Sequence, residues 1–138
     1  MNNSLEKMIV KLFITKERQD RLFYELTNNK RGNALNKFAK YLKPKVIIDK
    51  ENSLPSNFDV YTRLMKFNLK DQCYIICWGY ELDGKMIDLN SAIEQLNCNG
   101  FPALIVSIPS GFTYFKNESY ASFQPNCLFK AIESNKFA

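Results

Sequence analysis

The sequence predicts an α+β fold, or a small α/β one, with N-terminal helices packed on a mixed sheet of about four or five strands and one β-α-β crossover. Three observations predict it. Apolar residues recur at helical spacing through the first third of the chain. Two short runs, CYIICW and ALIVSI, are almost continuously apolar, as central strands covered on both faces are. Between these runs lies an amphipathic segment, DLNSAIEQLNC, long enough to carry the chain from one strand to a parallel neighbour.

Taken in order, Leu5, Met8, Ile9, Leu12 and Phe13 share one face of a first helix, although MIVKLFI would also suit a strand. Thr15 is placed to cap a second helix, KERQDRLFYELTNN, whose Leu22, Phe23 and Leu26 align, and Asn28, Asn29 and Gly32 supply breakers after it. A third helix gathers Ala34, Leu35, Phe38, Ala39 and Leu42 and must end before Pro44, because the residue before a proline disfavours helical angles. KVIID is a short β-branched strand. FDVYTRLMKFNL fits a helix through Val60, Leu64 and Phe67, and its β-formers fit a strand as well. After CYIICW, Asp83 and Gly84 signal a turn, Leu89, Ile93 and Leu96 align on a helix, and Asn99 and Gly100 form its end. Past ALIVSI, Pro109, Ser110 and Gly111 turn the chain into FTYFK, and CLFKA is a last strand.

Length and composition set the outer bounds. A chain of 138 residues, 46% of them hydrophobic, suits a single domain spanning 1–138. No apolar run approaches the roughly 18 residues that cross a bilayer, and Lys7 and Lys11 interrupt the N-terminal apolar stretch before a signal-type core forms. The expectation is a soluble, unsecreted, cytoplasmic protein whose four cysteines are reduced. Net charge is +5, unevenly spread: residues 1–50 carry twelve Lys and Arg against five Asp and Glu, and residues 51–138 carry seven against nine. Such a basic third suits an acidic partner or nucleic acid, or is simply a solvated lysine-rich face.

The chain contains no histidine. A Ser or Cys nucleophile usually takes its activation from an imidazole, so the common triads cannot be assembled from these residues. Cys73 and Cys77 lie four apart in a strand, about 13 Å from one another, too far to share a metal ion. No metal and no cofactor is expected. Glu81, Asp83 and Asp88 gather near a strand end, where they could act as acid and base, or simply form a turn and a helix N-terminus that favours negative charge. NKRGN precedes a helix and could hold a phosphate, though the spacing of a phosphate-binding loop is missing. Tyr114, Phe115, Tyr120 and Phe123, with Lys116 and Lys130, could stack on single-stranded nucleic acid or pack as a hairpin on a core.

In overall pattern ITKERQDRLFYELTNN, RGNALNKF, and the pairing of CYIICWGYELDGKMIDLNSAIEQL with FPALIVSIPSGFTYFKN resemble small bacterial toxin-immunity proteins, including those of contact-dependent growth inhibition. The resemblance spans residues 13–116 and carries no catalytic residue with it. It implies a cytoplasmic, non-enzymatic protein that neutralises a toxin domain, often a nuclease, by covering it. On that reading Lys30, Arg31, Lys37, Lys40, Lys43 and Lys45 form one candidate partner-binding surface and Glu81 with Asp83 the rival one. The alternative is a nucleic-acid-binding protein that uses the basic N-terminal third.

Overall fold

The computed structural model describes residues 2–28, 30–43, 47–50, 70–78, 81–96, 102–107, 112–116 and 127–130. Helices α1 (Asn3–Phe13), α2 (Gln19–Thr27) and α3 (Arg31–Phe38) come first, with 3-10 turns at Lys16–Arg18 and Ala39–Tyr41. Strands β1 (Ile47–Lys50), β2 (Gln72–Cys77) and β3 (Met86–Asp88) follow, then helix α4 (Leu89–Leu96) and strands β4 (Ala103–Ser107), β5 (Phe112–Lys116) and β6 (Cys127–Lys130). The fold is α+β.

Among the described residues the strands form one sheet in the order β1-β6-β5-β4-β2-β3. Every bonded neighbour pair is antiparallel, so the expected mixed sheet is replaced by an antiparallel one with more strands. The expected parallel crossover from CYIICW to ALIVSI is corrected in the same way: β2 and β4 are antiparallel, with Ile75 opposite Ile105. The cause is β3. Three residues, MID, reverse the chain against β2 before α4 begins, with Cys73 opposite Ile87. Since β3 and β4 flank β2 and both oppose it, they run parallel to each other, and α4 joins them across the intervening strand.

Gly84 makes the reversal possible. Its φ of 79° lies in the left-handed region that only glycine enters without strain, and its N–H donates to the Ile75 carbonyl at 2.8 Å. Asp88 then starts α4, accepting from the Ser91 N–H at 2.9 Å and from the Ser91 hydroxyl at 2.8 Å. Those bonds hold the Asp88 carboxyl below its ordinary range. At the other end of the chain the Asn2 side chain caps α1, accepting from the Leu5 N–H at 2.9 Å.

The sheet is covered on both faces. On one, Tyr74, Ile76, Leu104, Val106 and Phe115 pack against Ile9, Val10, Phe13, Leu22, Leu26, Leu35 and Phe38 of the three helices. On the other, Cys73, Ile75, Cys77, Ala103, Ile105 and Tyr114 pack against Leu82 and against Leu89, Ala92 and Ile93 of α4. This double cover is why residues 73–77 and 103–107 are buried without alternation. Each fully buried side chain of this size contributes about 1.5–3 kcal/mol.

No helix among the described residues is long and apolar enough to cross a membrane. The readings of FDVYTRLMKFNL, of the Asn99-Gly100 cap, of the Pro109–Gly111 turn, and of Lys45, Tyr120 and Phe123 lie outside the described residues.

Candidate functional site

Three charged side chains lie on the apolar stripes of the helices. Glu6 falls in register with Ile9, Val10 and Phe13, Glu25 with Leu22 and Leu26, and Arg31 with Ala34, Leu35 and Phe38. Burying them is tolerable only if every polar atom finds a partner.

The Arg31 guanidinium achieves that completely. It donates from Nη1 and Nη2 to the two Glu6 carboxylate oxygens at 2.8 and 2.7 Å. It donates from Nε and Nη2 to Asp83 at 2.7 Å each. Its last N–H goes to the Leu26 carbonyl at 2.9 Å, so all five donors are used. Glu6 also accepts from the Tyr74 hydroxyl at 2.6 Å, which in turn accepts from the Asn2 N–H at 3.0 Å. Asp83 accepts a further bond from the Cys77 N–H at 3.1 Å. One guanidinium thereby ties α1, the end of α2, α3, strand β2 and the β2–β3 turn together.

Burial alone would lower the Arg31 pKa, but the hydrogen bonds and charges of Glu6 and Asp83 outweigh it and hold Arg31 firmly protonated. Tyr74 is pushed up to about 12, by burial first and then by its bond to Glu6. A smaller relay surrounds Glu25, which Lys37 approaches at 3.1 Å and Arg21 at 3.1 Å. Burial would raise the Glu25 pKa, and the bonds from Lys37 and Arg21 reverse that and lower it.

The sequence-predicted surfaces are therefore redrawn. Arg31 and Asp83, assigned to rival faces, are bonded to each other, and Arg31 is 6% exposed with no donor left for a partner. Lys37 is committed to Glu25. Lys30 and Lys40 are exposed, as is Glu81, while Lys43 is half-buried and donates to the Lys11 carbonyl at 2.7 Å. Asp88 serves α4 and is not joined to Asp83 by any bond seen here. No group of three or more His, Cys, Asp or Glu side chains among the described residues could hold a metal ion. Cys73 and Cys77 are buried thiols, and burial, with Asp71 and Asp88 nearby, pushes Cys73 up to about 12, so it is not a thiolate at neutral pH. Tyr114 and Phe115, offered as stacking aromatics, are core side chains on opposite faces of the sheet.

What sequence reasoning missed is Trp78. Directly after β2 the chain leaves the covered sheet, and the indole is 50% exposed. It lies against the first turn of α3: a Cβ on Gly32 would stand 3.1 Å from Trp78 Cδ2. Gly32 is thus the residue that lets the ring approach the helix backbone, and Arg31, one position earlier, fixes that helix end from beneath. Tyr24 at 54% and Met86 at 45% are the other large exposed apolar side chains among the described residues.

Compared with protein-family models, with curated proteins and with solved structures, the chain matches none.

Proposed function

We propose that this chain is a non-enzymatic protein-binding module of the immunity type, which neutralises a toxin domain by direct binding. The observation that carries the reading is Trp78, a half-exposed indole held over Gly32 on a helix end whose Arg31 uses every donor within the fold. A rigid aromatic on a rigid base is the side-chain chemistry from which binding hot spots are made, since little entropy is lost when a partner covers it. Glu6, Glu25, Arg31 and Tyr74 of the described interior are engaged in bonds that hold the fold.

The resemblance noted in the sequence supplies the class of partner, a toxin domain that is often a nuclease. The test is co-expression with the C-terminal domain encoded by the reading frame directly upstream. The expected result is a complex stable to size-exclusion chromatography that suppresses the domain's toxicity, with Trp78→Ala weakening it roughly thirtyfold. Failure to form a complex overturns the reading. The alternative, a nucleic-acid-binding protein, draws on the exposed lysines of the helical layer. It predicts nonspecific DNA or RNA affinity that falls steeply with salt, and tight binding of such DNA at physiological salt in a gel-shift titration would displace the protein-binding reading.

A further inference from the structure

The helical layer is more basic outside than its composition suggests. Residues 2–43 contain four carboxylates, Glu6, Glu17, Asp20 and Glu25, and two of them are turned inward: Glu6 is fully buried and Glu25 is 2% exposed. Only Glu17 and Asp20 remain on the surface to balance the cations.

Those cations converge where α1 ends, α2 begins and the turn after α3 closes. Lys43 Nζ reaches the Lys11 carbonyl at 2.7 Å, and the Lys43 N–H donates to the Phe13 carbonyl at 2.8 Å. The Thr15 N–H donates to the Tyr41 carbonyl at 2.9 Å, bringing the Lys16–Arg18 turn against the Ala39–Tyr41 turn. Over the Tyr41 ring stand the Arg18 guanidinium at 4.6 Å and Lys40 Nζ at 5.8 Å. Lys11, Lys16, Arg18 and Lys40 are exposed and Lys43 is half-exposed. Five cations thus share one end of the layer with two carboxylates.

We propose that this end, formed by Lys11, Lys16, Arg18, Lys40 and Lys43, meets the partner, and that it takes a carboxylate-rich protein surface. The inference rests on the protein-binding reading above and names the partner's chemistry. One feature favours carboxylates over a nucleic-acid strand. The aromatic ring at this end, Tyr41, is half-buried and already carries the Arg18 guanidinium at 4.6 Å, so it is not offered as a stacking platform for bases. A guanidinium stacked on a ring keeps its N–H edge free for a bidentate oxyanion, and its planar fork fits carboxylate and phosphate alike. The rival acidic surface is also reduced, because Asp83 is bonded to Arg31 and to the Cys77 N–H, leaving Glu81 as its exposed member. A nuclease partner would accordingly be held by an acidic surface outside its phosphate-binding cleft.

The test uses two fluorescein-labelled probes of matching charge, a polyglutamate peptide and an oligothymidylate, read by anisotropy at low and physiological salt, and the co-expressed toxin domain. The expected result is tighter binding of polyglutamate than of the oligothymidylate. Arg18→Glu with Lys40→Glu, and separately Lys11→Glu with Lys16→Glu, should each weaken peptide binding by roughly tenfold, whereas Lys85→Glu, exposed in the β2–β3 turn, should change it less than about twofold. Circular dichroism checks that the exposed reversals leave the fold intact. Tighter binding of the oligothymidylate, or an equal loss in Lys85→Glu, overturns the inference. A toxin-domain complex unaffected by both double reversals overturns it while leaving the protein-binding reading standing; absence of any complex removes that reading instead.

Discussion

Arg31 shows how one residue can hold a fold together without adding much net stability. A buried ion pair costs several kcal/mol per ion in lost hydration, and its bonds roughly repay that. Removing one partner is another matter. Arg31→Met should destabilise the protein by about 3–5 kcal/mol, because Glu6 and Asp83 would stay buried without their cation, and urea unfolding checks it. Arg31→Met combined with Glu6→Gln should recover part of that loss, the signature of a coupled pair. Strand β2 supplies a pH dependence. Cys73 and Tyr74 ionise at 9.0 and 10.0 in an unfolded chain and are each pushed up to about 12 in the fold. As pH rises from about 9 to 12 the unfolded state releases protons that the native state retains, so stability is full below this window and is lost through it. Cys73→Ala should delay the onset of that alkaline decline in thermal melts, and an unchanged onset would show that Cys73 is not its source.

At the scale of elements, the β2–β3 turn and the helix ends decide the topology. The described helices, and the strands β1, β2, β4, β5 and β6, follow from periodicity and composition that the sequence displays: CYIICW and ALIVSI read as doubly covered strands because they are almost continuously apolar. Strand β3 does not show itself, since MID is too short to establish a period and is followed at once by a helix cap. Missing it turns an antiparallel pair into a parallel one. The Arg31 network was hidden for a different reason, its partners lying 25 and 52 residues away, beyond any local pattern. A trace was present all the same. Glu6, Glu25 and Arg31 each occupy a position that an uninterrupted apolar stripe would fill, and a charge there must find a buried partner. Trp78 left no comparable trace, because an indole at the end of an apolar run looks like more core. Asn2→Ala tests the element scale directly: loss of the α1 cap should cost about 1 kcal/mol in chemical unfolding. Gly32→Ala should shift Trp78 fluorescence, because the new methyl group would stand 3.1 Å from Cδ2 and displace the packed, half-exposed ring.

Over the whole molecule, charge is sorted by depth. The interior takes up carboxylates, with Arg31 facing both Glu6 and Asp83 and Glu25 drawing in Lys37 and Arg21, while the surface of the helical layer keeps cations that outnumber the carboxylates among its described residues. Exposed like charges repel by tenths of a kcal/mol per pair, and that repulsion is screened once the Debye length falls to about 8–10 Å. Raising sodium chloride from about 20 to 200 mM should therefore raise the thermal midpoint of the free protein by roughly 2–4 °C, the shift that corresponds to about 1 kcal/mol in a chain of this size. The buried Arg31 bonds, shielded from the solvent, should not offset that gain. In the Arg18→Glu, Lys40→Glu variant the repulsion is already relieved, so its midpoint should rise distinctly less with salt. A partner that neutralises the same cations reverses the dependence for the complex, since salt then screens an attraction: its association rate should fall over the same range in which the free protein becomes more stable. A wild-type midpoint that falls with salt would mean the helical surface is balanced by ion pairs, and the case for an acidic partner would fall with it.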